Sequence, residues 1–344
     1  MSAPKPPRPL SAIEEPLASA YDVALLDLDG VVYVGPDAVA GAPDQLRTAS
    51  DAGMRIGYIT NNASRSPEAV AEHLRSFGLP AESEDVVTSA QAAARLVAAE
   101  FGAGSPVLVV GGEGIRAALE EYALREVRSS DDKPVAVVQG FAPEVDWVML
   151  ADGAHAINAG AKWFATNLDM TIPTSGGRAP GNGTLVKAVR AAVDVDPVVA
   201  GKPEPPLLTT SVERLDAKRP LMIGDRLDTD IAGANRAGIA SLWVATGVDT
   251  AADVASAPPQ LRPTYVAAGL AALTEPQPGV EVARGKHRCG GWEAIAAGGE
   301  VVLTGDGDRY DGLRALLSAA WAAADSGKAA DVTEALGKLD ARAG

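Results

Sequence analysis

The chain has 344 residues, 47% of them hydrophobic and 22% charged, and a net charge of −15 at pH 7. That is the make-up of a globular protein of two or three domains. So strong a negative charge argues against nucleic acid or an anionic membrane surface as partner, and an anionic substrate must be drawn in locally by a metal, a lysine or backbone N–H groups.

No apolar run approaches the ~20 residues of a membrane span. One cysteine, Cys289, excludes an intrachain disulfide and fits a reducing cytoplasm. The opening MSAPKPPRPLSAIEEP is Pro-rich and lacks the apolar centre of a secretory signal, so residues 1–17 read as a poorly ordered lead-in. Strands are then expected at 23–28, 56–60 and 85–88, alternating with helices at 42–52, 67–76 and 90–100, the pattern of a parallel sheet with helices on its faces. Residues 105–196 carry their own alternation of strand and helix, too long for a loop, and read as a complete α/β domain inserted into the first. The first domain resumes with strands at 197–200, 220–223 and 241–245 and a helix at 230–237 that Gly238 stops. A Pro/Ala-rich segment at 250–263 closes it. Residues 275–344 form an extension: a hairpin turning at Gly298-Gly299, a helix with Leu313, Leu316, Leu317, Ala320, Trp321 and Ala324 on one face, and a second helix using Val332, Leu336 and Leu339.

Chemistry concentrates where strands end. In VALLDLDGVVY, Asp27 and Asp29 stand two apart, so both carboxylates can face one site beyond the strand's carboxyl end, where ligands bind in open parallel sheets. The bland alternative is a pair of solvated aspartates opening a loop. Thr60 ends the 56–60 strand and Asn61 and Asn62 follow it; they could hold anionic oxygens, although taken alone they read better as a polar turn with a helix-capping Asn. Lys202 in Gly201-Lys202-Pro203 is either a fixed point charge for phosphate or a surface lysine. LMIGDRLDTDI sets Asp225 after an apolar strand with Asp228 and Asp230 beyond, an oxygen-rich group that suits Mg2+, although Asp228 also reads as a helix N-cap. Their joint occurrence, in this order and each ending an apolar strand, is far more specific than any one of them.

DLDGVVY, ITNN, GKP and GDRLDTD together resemble the four motifs of the haloacid dehalogenase superfamily. The separation of Asn62 and Lys202 resembles its type IIA branch, with a large α/β cap between the second and third motifs, and ATNLDMTIPTSGGRAPGNGTLVKAV is similar to that cap, with Leu168 in place of its usual proline. The resemblance covers residues 18–265. It implies an α/β fold: a Rossmann-like parallel-sheet core (18–104 plus 197–265), a cap (105–196) and, outside the resemblance, the α+β extension (275–344). It implies Mg2+ as cofactor, Asp27 as a nucleophile forming an aspartyl-phosphate, and Asp29 as general acid and then base, its pKa raised by its carboxylate neighbour. Metal ligands would be Asp27, Asp29 through its backbone carbonyl, and Asp225, with Asp230 in support. Thr60, Asn61, Asn62 and Lys202 would hold the phosphoryl oxygens. Asn167, Asp169, Thr171 and Arg178 are the cap's specificity candidates.

The activity so implied is hydrolysis of a small phosphomonoester, glycerol 3-phosphate first. Alternatives are a phosphoglycolate, nucleotide or pyridoxal phosphate phosphatase, a sugar phosphomutase, or a catalytically silent regulator of the same fold. Expected partners are a small phosphorylated metabolite and, through the cap or the extension, a second copy of the chain.

Three features point elsewhere and are set aside. Gly112-x-Gly114-x-x-Ala117 after a strand mimics a dinucleotide fingerprint, but the next strand ends in Gln139-Gly140 without the acid that would hold a ribose. TGDGDRYDG looks like a phosphate cradle, yet Asp306, Asp308 and Asp311 would repel phosphate, so a capped helix entry is expected. The hairpin-then-helix order of the extension resembles part of an acetyltransferase; it is too short for a whole one and reads as a structural or interaction module. His73, His155 and His287 have no ligand spacing.

Overall fold

The computed structural model describes residues 8–174 and 176–341. They form two compact units, one from residues 8–56 and 217–341 and the other from residues 57–216. Among the described residues no helix is long and apolar enough to cross a membrane.

The first unit is built on parallel strands that lie in the order Val23–Asp27, Pro220–Gly224, Ala240–Val244, Tyr265–Ala267. Nearly every residue in them is buried, as near-continuous apolar runs demand of a parallel sheet covered on both faces. Because the strands run parallel, Asp27 and Asp225 emerge at the same edge. The strand Tyr265–Ala267 escaped the sequence reading, which took the region before it as a closing segment. That segment contains a short helix, Ala251–Ala255, opened by a Thr250/Asp253 capping box. The expected 230–237 helix starts differently: Leu227–Ile231 is a single wide turn, and the regular helix Ala232–Ala237 follows, ended by Gly238 in the left-handed region at φ 70°. Asp228 therefore caps nothing; its carboxylate pairs with Arg226 at 3.0 and 2.9 Å.

The extension is a four-stranded antiparallel meander, Glu281–Ala283, Lys286–Cys289, Trp292–Ala297 and Glu300–Gly305, followed by helices Arg309–Asp325 and Thr333–Asp340. The expected hairpin turns at Gly298 and Gly299, with φ 63° and 88°, the backbone sign that a two-residue hairpin loop needs. The two leading strands were not legible, because they are short and rich in charge. Asp308 does cap the long helix, accepting N–H bonds from Tyr310 and Asp311 at 2.8 and 3.0 Å. Ala324, expected on the apolar face, is exposed.

This extension shares a single hydrophobic core with the sheet: Leu227, Ile231 and Trp243 pack in one buried cluster with Trp292, Leu317 and Trp321. Two buried arginines reinforce it. Arg262 binds Asp325 through both terminal nitrogens at 2.7 Å and lies 5.1 Å from the centre of the Trp321 ring. Arg314 donates to Asp311 at 3.0 Å, to Gln277 at 2.7 Å and to the Val266 carbonyl at 2.9 Å. Arg314→Met should lower the unfolding free energy by about 3 kcal/mol, because it strands buried acceptors rather than merely removing a surface pair. A urea melt showing less than a third of that loss would refute the assignment. The lead-in is also tied down: Ile13 and Gln277 exchange backbone bonds at 2.9 Å, and the Ser11 N–H donates to the Thr264 carbonyl at 3.1 Å. Residues 8–16 are thus docked, against expectation, while 1–7 lie outside the described residues.

In the second unit, Arg55–Thr60, whose first residues fall in the first unit, pairs in parallel with Val86–Thr88. Helix Pro67–Ser76 is capped by Ser66, and Ser89–Phe101 opens on a Thr88/Gln91 capping box. A five-stranded parallel sheet runs in the order Val198–Val199, Lys162–Ala165, Ala136–Gln139, Pro106–Val110, Arg125–Val127. The 197–200 strand, expected to resume the outer domain, adds instead to the edge of this inserted sheet. The glycine-rich turn has a packing cause. A Cβ on Gly114 would stand 2.4 and 2.5 Å from the Ala63 and Arg65 carbonyl oxygens, and one on Gly112 would meet Ala142 and Glu144 at 2.7 Å. These close approaches account for both glycines without a ligand.

Candidate active site

Two groups of polar side chains stand out, one in each unit. In the first, Asp27, Asp225 and Asp230 bring carboxylate oxygens within 4.8 Å of one another. Asp225 and Asp230 are fully buried; Asp27 is half-buried and Asp29 exposed. The chain after Asp27 folds back in one tight turn, with the Leu28 carbonyl accepting from Val32 at 2.9 Å and the Gly30 N–H donating to the Tyr33 carbonyl at 2.8 Å. Gly30 is required twice over: its φ is 86°, and a Cβ there would lie 2.6 Å from Asp225 Oδ2.

Asp230 is held by the Arg226 N–H at 3.1 Å. Asp225 Oδ2 accepts the Val248 N–H at 2.6 Å, and its backbone carbonyl accepts from Trp243 Nε1 at 3.1 Å. The loop Thr246–Val248 was missed on sequence. Thr246 donates to the Gly30 carbonyl at 2.5 Å, and Gly247 must be glycine because a Cβ would all but coincide with Asp225 Oδ2. Its only sequence signal is a Thr-Gly pair just after a buried strand.

The buried Oδ1 of Asp225 has no hydrogen-bond partner among the described residues. Burial first, and then the neighbouring charges of Asp230 and Asp27, push the Asp225 carboxyl up to about 7. Three carboxylates so close, one of them with an unsatisfied oxygen, fit a hard divalent cation with oxygen ligands.

In the second unit, Thr60 is buried at the end of its strand and its Oγ1 accepts the Asn62 N–H at 3.0 Å, which leaves the hydroxyl proton for another acceptor. Asn62 is exposed, and its Oδ1 takes the Ser64 N–H and hydroxyl at 2.8 and 2.7 Å; this is the polar turn of the bland reading. Lys202 is 2% exposed, far from a solvated surface lysine. Asn61 joins its own loop to the Lys202 backbone and to Asp169. Asn167 donates to the Asn61 carbonyl at 2.7 Å and accepts the Asp169 N–H at 3.1 Å. Thus two of the four specificity candidates, Asn167 and Asp169, bind the second-motif loop. The other two, Thr171 and Arg178, are exposed on the hairpin Thr171–Thr174/Gly177–Pro180 and share one of its faces.

Comparison with known proteins gives this geometry a family. Residues 24–125 match the family described as haloacid dehalogenase-like hydrolase, residues 199–273 a related hydrolase-like family, and residues 289–340 a GCN5-related N-acetyltransferase-like domain. The resemblance set aside for the extension is therefore real, over a stretch that begins at the second strand of its meander. The chain is 45% identical to D-glycerol 3-phosphate phosphatase of Mycobacterium tuberculosis, over 89% of this chain and 88% of that one. It is 36% identical to acid sugar phosphatase of Staphylococcus aureus, over 71% and 93%. A crystal structure of the M. tuberculosis glycerol phosphate phosphatase in complex with magnesium is similar with a TM-score of 0.83 at 44% identity, covering 90% of this chain and 92% of that one. With four motifs legible, three of their aspartates in one cluster and relatives similar over most of its length, the chain belongs to the haloacid dehalogenase-like hydrolases.

Proposed function

We propose that the protein is a Mg2+-dependent phosphatase that hydrolyses glycerol 3-phosphate. The observation that carries the chemistry is the Asp27–Asp225–Asp230 cluster with its strongly raised Asp225. A relative that is 45% identical over 89% of this chain, itself a D-glycerol 3-phosphate phosphatase, supports the substrate.

In this reading Asp27, Asp225 and the backbone carbonyl of Asp29 would hold Mg2+, with Asp230, itself fixed by the Arg226 N–H, in support. The bound cation would neutralise carboxylate and phosphoryl charge. An Asp27 carboxylate oxygen attacks phosphorus; the P–O bond to glycerol breaks, and the leaving alkoxide takes a proton from Asp29. Water then attacks the phosphorus of the aspartyl-phosphate while Asp29 takes its proton; the P–O bond to Asp27 breaks, restoring the carboxylate, and inorganic phosphate departs. An exposed carboxyl suits this second step, because the water must reach it. Thr60 and Lys202 hold the phosphoryl oxygens, the lysine as a buried point charge and the threonine as a donor. Such a loose transition state asks mainly for positioning and charge neutralisation. Residues 18–104 with 197–265 serve as the catalytic core and 105–196 as the cap, whose sheet the Val198–Val199 strand joins. Thr171 and Arg178 are the cap residues free to meet the glycerol end.

The test is phosphate release with Mg2+ from a panel holding glycerol 3-phosphate, phosphoglycolate, sugar phosphates, pyridoxal phosphate and nucleotides. Glycerol 3-phosphate should give the highest kcat/KM. Another monoester ahead by tenfold would overturn the substrate, and a panel without any release would overturn the activity.

A further inference from the structure

Asn61 stands among the phosphate-binding residues on sequence, but its bonds give it a different task. Its side-chain Oδ1 accepts the Lys202 N–H at 2.8 Å, and Nδ2 donates to the Lys202 carbonyl at 3.0 Å and to Asp169 Oδ2 at 3.2 Å. The amide orientation is fixed by chemistry, since one end faces an N–H and the other faces a carbonyl and a carboxylate. A side-chain amide has two N–H donors and two lone pairs. Both donors and one lone pair are taken, so what remains is an acceptor, which repels a phosphoryl oxygen.

The amide thus grips both backbone polar groups of Lys202, as a neighbouring strand would. Its own backbone is held in turn: the Asn61 carbonyl accepts from Ser89 Oγ at 2.6 Å and from Asn167 Nδ2 at 2.7 Å. Independent support comes from Gly201. A Cβ there would fall 2.6 Å from Asn61 Oδ1 and 2.5 Å from the Thr166 carbonyl oxygen, at a backbone conformation with no need of glycine for its own sake. The absence of a side chain at 201 is what lets the amide reach the Lys202 backbone.

We infer that Asn61 is a positioning residue. It fixes the backbone from which the Lys202 ammonium is aimed, and Asp169 and Asn167 hold Asn61 in place. The inference rests on the reading of Lys202 as the phosphoryl-holding cation.

A double-mutant cycle in the full chain tests both separately. Asn61→Ala should raise the KM for glycerol 3-phosphate and the inhibition constant of inorganic phosphate, lowering kcat/KM about 10²-fold, the scale expected of an ångström-sized misplacement. Half-saturation by Mg2+ should stay within about twofold, which a general loosening of the protein would not allow. Lys202→Ala should cost as much or more. The double variant should be no worse than Lys202→Ala within about threefold, because the two act as one unit. Gly201→Ala should reproduce Asn61→Ala. Asn61→Asp keeps the shape and the acceptor but loses both donated bonds, and carries the same cycle if the alanine variant does not fold. Unchanged phosphate inhibition in Lys202→Ala would overturn the reading of Lys202 and the inference with it. An impaired Lys202→Ala combined with multiplicative losses in the double variant would overturn the inference alone.

Discussion

Asp27→Asn should lower phosphate release by at least about 10⁴-fold, the loss typical when a covalent nucleophile is removed. The same change should make the metal-free protein more stable. Asp27 is one of the two charges that raise the Asp225 carboxyl, and an amide in its place relieves that repulsion. Each unit of pKa relief is worth about 1.4 kcal/mol, which for a chain of this size corresponds to a rise of about 2 °C in Tm. Gain of stability with loss of turnover separates a chemical role from a structural one, since an aspartate kept for folding would give the opposite pair of results. Residual activity above one per cent would point to another nucleophile.

Mg2+ should stabilise the protein strongly at pH 8 and weakly at pH 5. The Asp225 carboxyl is raised from 3.8 to about 7 in the fold. In that interval the folded protein keeps a proton that the unfolded chain has lost. Stability is therefore complete below about pH 4 as far as this group is concerned, and it declines as pH rises through 7. A cation reverses the decline by taking the proton's place, so it binds best where the proton has gone. At a hundredfold excess over its dissociation constant it adds about 2.7 kcal/mol, or about 4 °C in Tm for a chain of this length. Asp225→Asn should abolish the Mg2+ response, flatten the pH dependence and reduce turnover by about 10³-fold, the Val248 N–H keeping an acceptor throughout. Thermal scans with and without Mg2+ at the two pH values decide it. An equal shift at both would mean that the cation binds elsewhere.

Much of the site was legible because its residues stand at the ends of apolar strands, where parallel topology collects them. Asp27, Asp225 and Asp230 meet as their spacing implied. What could not be read depends on contacts across long sequence distances. Gly247 matters only because Asp225 lies against it, and Asn61 holds Lys202 from 141 residues away. The wide turn Leu227–Ile231 has the composition of an ordinary helix start, which is why Asp228 passed for a cap. The Val198–Val199 strand is too short for its sequence to choose a sheet. Strands Glu281–Ala283 and Lys286–Cys289 are only three and four residues long, too short for their alternation to announce them.

The core shared by the sheet and the extension also sets an order of events during synthesis. Leu227, Ile231 and Trp243 leave the ribosome well before Leu317 and Trp321, which cover them. The nascent chain therefore presents apolar surface beside its future metal loop until the last helices emerge, a period in which it depends on chaperones or on speed.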